Sequence, residues 1–307
     1  MPPKPQPRRV IIDTDPGVDD ALAILFALGS SPALQVEGLT IAAGNIKNIR
    51  ELGANAKLLL RLAGAEGIPV SLGRPAEEEA GVGPCETGAE ATEALRLQEP
   101  RCHGLDGLGG VSARYGRCEA DFTGFHDSSA SEFIYETCSR SPGEVSVICI
   151  GPLRNLAAAL TLHPDLRHKL GEVLIMGGAL GLKRGNRTPA AEANFAEDPK
   201  AAQTVLTAGI ERVVLAGLDV THQTDVHVLR EACRSLGSPL AGFVWDVCEH
   251  YIRTYQDDFG ESHGPAHDLV PVMYLLCPDL FASTRVRVDV ETEGRLTSGM
   301  SIADWQG

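Results

Sequence analysis

The stretch that most constrains this chain is Val10-Ile-Ile-Asp-Thr-Asp-Pro-Gly-Val-Asp-Asp-Ala-Leu-Ala-Ile-Leu-Phe26. Its apolar, β-branched start suits a buried strand, Pro16-Gly17 turns the chain, and the apolar segment after Asp19-Asp20 predicts a helix. Four carboxylates, Asp13, Asp15, Asp19 and Asp20, fall within this one strand-turn-helix unit. On a strand continued through both, Asp13 and Asp15 share a face, and Gly17 lets the backbone pass close to whatever sits at the strand's end. Their mutual repulsion calls for a cation. Oxygen donors without nearby Cys or a paired His favour Ca²⁺ or Mg²⁺ over zinc. Helix capping by Asp19 and Asp20 is the plainer reading, and it accounts for two of the four.

The rest of the chain repeats the pattern. Segments 34–43, 68–72, 144–150, 172–178 and 212–220 read as strands; 49–62, 127–140, 153–162, 198–207 and 239–255 read as helices. This alternation predicts a single α/β domain with a mainly parallel, Rossmann-like sheet flanked by helices, its site along the C-terminal edge of the strands. We expect a flexible tail over 1–8 and one domain over 9–307. Between 73 and 125 the periodicity fails apart from a short helical pattern at 89–97, as in a lid or a disordered loop.

Candidate ligand residues fall at successive strand ends. Asn45 follows the second strand, where it is either a turn former or a ligand. His103 lies in the Gly-rich loop Cys102-His-Gly-Leu-Asp-Gly-Leu-Gly-Gly110, either solvated or facing a ligand. Polar residues over 185–200 suit sugar hydroxyls, which both donate and accept. Asp198 before Pro199 reads as a helix cap. Tyr251 and Tyr255 share one side of the last long helix, as core residues with a wet tip. Asp268 is a cap or a ligand, and a calcium site needing about six to eight oxygens cannot be filled by the first motif alone. His222 reads as structural.

A net charge of −14 over 307 residues argues against nucleic acid or an anionic membrane surface as partner. With 43% hydrophobic and 22% charged residues the chain is an ordinary globule, and no apolar stretch approaches a membrane span. The segment before Val10 is charged but has no apolar core, unlike a secretory signal. The 8 cysteines are scattered and lack CxxC pairs, which points to reduced thiols and a cytoplasmic location.

Asp13-Thr-Asp-Pro-Gly-Val-Asp-Asp-Ala21 resembles the signature of the inosine-uridine preferring nucleoside hydrolases. Gly44-Asn45, the His103 loop, the 186–194 segment and His267-Asp268 extend the resemblance over nearly the whole chain. It implies that Asp15 is a Ca²⁺ ligand and general base, Asp20 a bidentate ligand, Asp19 a ribose-hydroxyl acceptor and Asp13 a supporting residue. By the same resemblance the Ile150 carbonyl and Asp268 complete the metal set, Asn45, Asn186, Glu192 and Asn194 bind ribose, and Met176 neighbours the sugar. His103, Tyr251 and Tyr255 then face the base, and His267 gives a proton to it as it leaves. The implied function is calcium-dependent hydrolysis of ribonucleosides of the inosine/uridine type to ribose and free base, in nucleoside salvage or catabolism, by a homodimer or homotetramer. Two departures stand out: Ala193 replaces the Phe many relatives carry, and relatives usually continue with another strand and helix. The alternatives are a catalytically impaired nucleoside-binding protein and a Mg²⁺-dependent aspartyl phosphatase; in the latter, x-[Thr/Val] rather than Pro-Gly-x-Asp-Asp normally follows the second Asp.

Overall fold

The computed structural model describes residues 6–74, 101–181 and 185–306. Six parallel strands form the central sheet: β1 (Arg8–Thr14), β2 (Leu34–Ile41), β3 (Val70–Leu72), β4 (Val145–Cys149), β5 (Val173–Met176) and β6 (Val213–Ala216). Their order is β3-β2-β1-β4-β5-β6. From β1 the chain winds outward to β3, then returns to β4 on the other side of β1. That reversal is the switch point at which open α/β sheets bind ligands, just beyond the strands' C-terminal ends.

Val10 and Ile12 belong to one apolar cluster and Ile11 to the other, so β1 is packed on both faces. Helices Val18–Gly29, Ile49–Leu62, Pro239–Phe259 and Leu269–Leu276 cover the first face. Helices Ala130–Arg140, Arg154–Leu162 and Pro199–Thr207 cover the second. A buried side chain here is closely packed, and truncating Ile12 to Ala would cost about 2–5 kcal/mol.

Register brings the strand ends level. Thr14 pairs with Ile41, Asp13 with Cys149, Ile175 with Cys149, and Met176 with Ala216. Asp15, Gly44-Asn45, Ile150 and Gly177 therefore leave the sheet along one edge.

Several expectations need correction. β1 stops at Thr14, so strand alternation does not carry through to Asp15. The expected tail reaches into β1, whose first residue, Arg8, donates its N–H to the Ala33 carbonyl. The strand expected over 212–220 ends at Ala216, because Gly217 caps a short helix, Leu218–Thr221, whose Leu218 N–H goes to the Gly178 carbonyl. Helices Ala193–Glu197 and Val226–Cys233 were not foreseen; the Asp225 side chain caps the second. Residues 89–97 lie outside the described residues. The last two strands, β7 (Arg287–Val290) and β8 (Ser301–Asp304), pair antiparallel as a separate sheet, with the Gln203 amide bonded to Val290 and Asp289 of β7. Among the described residues no helix is long and apolar enough to cross a membrane.

Candidate active site

The turn after β1 is built around Asp20. Its carboxylate accepts from Thr14 Oγ1 (2.6 Å), from the Asp15 N–H (3.3 Å) and from the Gly17 N–H (2.9 Å), folding the first helical turn back onto the strand end. Asn45, at the end of β2, donates its backbone N–H to Asp15 Oδ2 (2.7 Å) and its amide to the Asp15 carbonyl (3.0 Å) and Asp20 Oδ2 (3.1 Å). This Asn is therefore more than a turn former. Asp13 Oδ1 accepts from Thr40 (2.6 Å) and Asn155 (2.8 Å), tying β1 to β2 and to the helix after β4.

Asp15, Asp19, Asp20 and Asp268 are all buried, at 5% exposure or less. Oxygens of Asp19, Asp20 and Asp268 lie within 4.8 Å of one another. Burial raises all four carboxyls. For Asp15 the Asp20 charge adds to it, and for Asp268 the charges of Asp19, Asp20 and Asp15 do; Asp19 reaches about 8. Carboxylates this close cannot all ionise in a dry site without a compensating cation. Among the described residues no Lys or Arg pairs with them, and the only basic group within ion-pair distance is His103, whose Nδ1 is 3.8 Å from Asp19 Oδ1. That approach is not an ion pair at neutral pH, since burial and the nearby His250 push the His103 imidazole down to about 4. The donor set therefore fits a hard divalent ion. The tightest group contains Asp19, where the sequence reading assigned Asp15 to the metal and Asp19 to ribose.

Glu192 caps the helix Ala193–Glu197, its oxygens accepting the N–H groups of Asn194 (2.9 Å), Gly178 (3.0 Å) and Phe195 (3.2 Å). Burial nevertheless raises it to about 7. Asn194 donates its amide to the carbonyls of Ile150 (3.1 Å) and Met176 (3.2 Å), bridging the ends of β4 and β5. Asn186 is exposed, and its Oδ1 accepts the Ala193 N–H (2.9 Å). At residue 193 the backbone is thus engaged where the larger side chain of relatives is missing. Asp198 is the helix cap the sequence suggested, accepting from the Ala201 N–H at 2.9 Å.

On the other side, a hydrogen-bonded series runs from Thr221 Oγ1 to His267 Nδ1 (2.7 Å), from His267 Nε2 to the Tyr255 hydroxyl (3.2 Å), and from there to the Tyr251 hydroxyl (3.4 Å). All four residues are buried. Burial, with His222 and His103 nearby, pushes His267 down to about 3. A neutral ring still carries one N–H, so His267 offers a hydrogen bond at neutral pH rather than a stored extra proton. His103 packs 5.9 Å from the Tyr251 ring, and its Nδ1 accepts the Val18 N–H (3.1 Å). Since Nδ1 is the acceptor, the ring proton of neutral His103 sits on Nε2.

The structure thus brings the carboxylates, Asn45, His103 and the Tyr-His series to one edge, with Glu192 and Asn194 at the neighbouring strand ends. Sequence reasoning did not single out Thr14, Thr40, Asn155 or Thr221, lone polar residues with no spacing signal. It also missed Gly44 and Gly151 as walls of Asp15: a Cβ at either position would collide with the Asp15 carboxylate.

The chain belongs to the inosine-uridine preferring nucleoside hydrolase family, whose description matches residues 10–307. It is similar to the pyrimidine-specific ribonucleoside hydrolase RihA of Citrobacter koseri, 36% identical over 300 residues, covering 96% of this chain and 88% of that protein. The RihA of Escherichia coli strain K12 matches at the same 36%, with the same coverage of 96% and 88%. Among solved structures, a plant nucleoside hydrolase, PpNRh1, superposes with a TM-score of 0.84 at 31% identity, covering 98% of this chain and 90% of that one. A purine-preferring ribonucleoside hydrolase from Gardnerella vaginalis gives 0.83 at 29% identity, covering 97% and 88%. This membership displaces the aspartyl phosphatase alternative.

Proposed function

We propose that this enzyme hydrolyses the N-glycosidic bond of ribonucleosides to ribose and free base with Ca²⁺ as its cation, in nucleoside salvage or catabolism. The observation that carries the reading is the set of four buried carboxylates, converging without a Lys or Arg partner among the described residues, in a chain of this family. Asp15, Asp20, Asp268 and the Ile150 carbonyl would hold the ion; when bound, it neutralises the carboxylates and makes water a better nucleophile. Asp15, fixed by the Asn45 N–H, takes the proton of the attacking water. Asp19, Asn45, Asn186, Glu192 and Asn194 hold the ribose hydroxyls beside Met176, and the carboxylates stabilise an oxocarbenium-like sugar. His103 presents Nε2–H to the base, while His267, Tyr255 and Tyr251 supply hydrogen bonds to it as it departs.

Cytidine and uridine are the substrates we favour, because the relatives at 36% identity carry a pyrimidine-specific name. Neither tryptophan is placed to sandwich a base: Trp245 packs under Arg230 and Arg234, and Trp305 is 62% exposed. The reading carries with it a homodimeric or homotetrameric assembly and a cytoplasmic location, the latter suited by free thiols at every described cysteine. Purified protein should release reducing sugar from cytidine, uridine or inosine, and a chelator should abolish it. A folded, calcium-loaded protein that binds nucleoside and releases no ribose is instead the impaired binding protein.

A further inference from the structure

We propose that Asn55 is a positioning residue that clamps the turn bearing the metal-site aspartates to the loop bearing His103, so that cation and base-side histidine are set in place together. The inference rests on the functional reading above. Asn55 sits in the helix Ile49–Leu62 with no exposure, among Leu52, Leu58 and Leu59. A buried amide in such company must find partners. Its Nδ2 donates to the carbonyls of Pro16 (3.3 Å) and Asp106 (2.7 Å), and its Oδ1 accepts from Arg117 Nη1 (2.8 Å). Arg117 is held in turn by Glu51 at 3.1 Å. Two carbonyls require the amide nitrogen and a guanidinium requires the oxygen, so the orientation of the side chain is fixed by its partners.

The two carbonyls belong to the two halves of the site. Pro16 lies between Asp15 and Gly17, whose N–H donates to Asp20. Asp106 is in the His103 loop, and its carboxylate accepts the N–H groups of Leu108 (2.9 Å), Gly110 (2.7 Å) and Ser112 (3.0 Å), making that loop stiff. At Gly107, φ is +79° and a Cβ would stand 2.8 Å from Asn55 Nδ2, so the loop crosses directly against the amide. Together with the bond from the Val18 N–H to His103, the loop and the turn are joined at two points. A side chain buried only for the fold could be a leucine; here that would take the amide donor from the Pro16 carbonyl and leave the Asp106 carbonyl with only the long contact from Arg117 Nη1 at 3.5 Å.

The test is Asn55→Asp, the same size and still able to hold Arg117, but with an oxygen facing the two carbonyls. Calcium chloride titrated alone against the thermal midpoint should show binding weaker by about 10-fold, as when the partners that orient metal ligands are removed, and kcat/KM for cytidine should fall by a similar factor. Leu59→Ala, a destabilising cut in the same helix, should change neither quantity below its melting range. Wild-type calcium affinity and kcat/KM in Asn55→Asp overturn the proposal, whatever its melting temperature. If that variant does not fold, Arg117→Ala keeps the amide but frees it to rotate, and should move both quantities in the same direction by less; unchanged values overturn the proposal equally. A wild-type protein that binds calcium but releases no ribose sinks the hydrolase reading and leaves the clamp to be judged on calcium alone, whereas one that shows neither overturns both.

Discussion

Gly44 and Asp15 are in such close apposition that a Cβ at residue 44 would collide with Asp15 Oδ2, while Gly151 closes on Oδ1 from the end of β4. The carboxylate is held between two stretches of bare backbone. Gly44→Ala should push it aside, and a displacement of this kind costs about 100-fold in kcat. Gly29→Ala, where nothing lies within 4 Å, should leave the rate unchanged. Steady-state kinetics on both decide it, and an undiminished Gly44→Ala would show that Asp15 need not stay where it is.

Asp15→Asn removes the proposed base and one negative charge. Ribose release should fall by about 10²–10⁴-fold, the range for loss of a positioned base. Without calcium the variant should melt higher than the wild type, because burial and the Asp20 charge both oppose ionisation of Asp15. Calorimetric melts in chelator check the second outcome independently of catalysis.

Stability of the chelated protein should fall as pH rises. Asp19 is raised to about 8 and Glu192 to about 7, far above their unfolded values, so each favours the folded state while protonated. Their contribution is complete at low pH and is lost as pH climbs through the folded values, within a window of about pH 5 to 8. Bound calcium should flatten this decline for the aspartates. Melting curves across that window with EDTA and with calcium chloride test it; a chelated midpoint that climbs with pH contradicts the arrangement of charges.

Tyr255→Phe and Thr221→Val each break one link around His267. Each should lower kcat on cytidine by about 10-fold, less than the roughly 10²–10⁴-fold of a positioned acid itself, because His267 stays in place and loses one orienting partner. Neither should weaken the calcium-induced rise in melting temperature. A 4-nitrophenyl riboside, whose leaving group departs without help, should be cleaved at close to the wild-type rate. Equal losses on both substrates would mean that the series only shapes the site.

The helix Ile49–Leu62 could be read from the chain to the residue, because its apolar positions recur at helical spacing; the structure adds that the Asn48 side chain caps it, accepting from the Arg50 N–H. The segment after Arg212 could not: its apolar run continues to Val220, and only the bond from the Leu218 N–H to the Gly178 carbonyl decides that the chain turns at Gly217. The aspartates of the first motif were legible because four of them crowd one turn. Thr221 and Asn55 were not, since each is a single polar residue in an ordinary context, and its meaning comes from a partner 46 or 51 positions away. The reading of Asp13 and Asp15 as facing together failed at one residue, where β1 gives way to a turn.

The order of the strands has a consequence for how such an enzyme can diversify. Asp15, Asp19, Asp20, Asn45 and Ile150 sit within a few residues of strands in the middle of the sheet, where any change of length would disturb the register. His103 rides instead on the long crossover from edge strand β3 back to β4, whose length fixes no neighbour in the sheet. The proposed hydrolytic centre and the proposed His103 contact to the base are therefore carried by separable pieces of chain, one tied to the sheet and the other open to changes of length, provided its hold on Val18 and the residue 16 carbonyl survives.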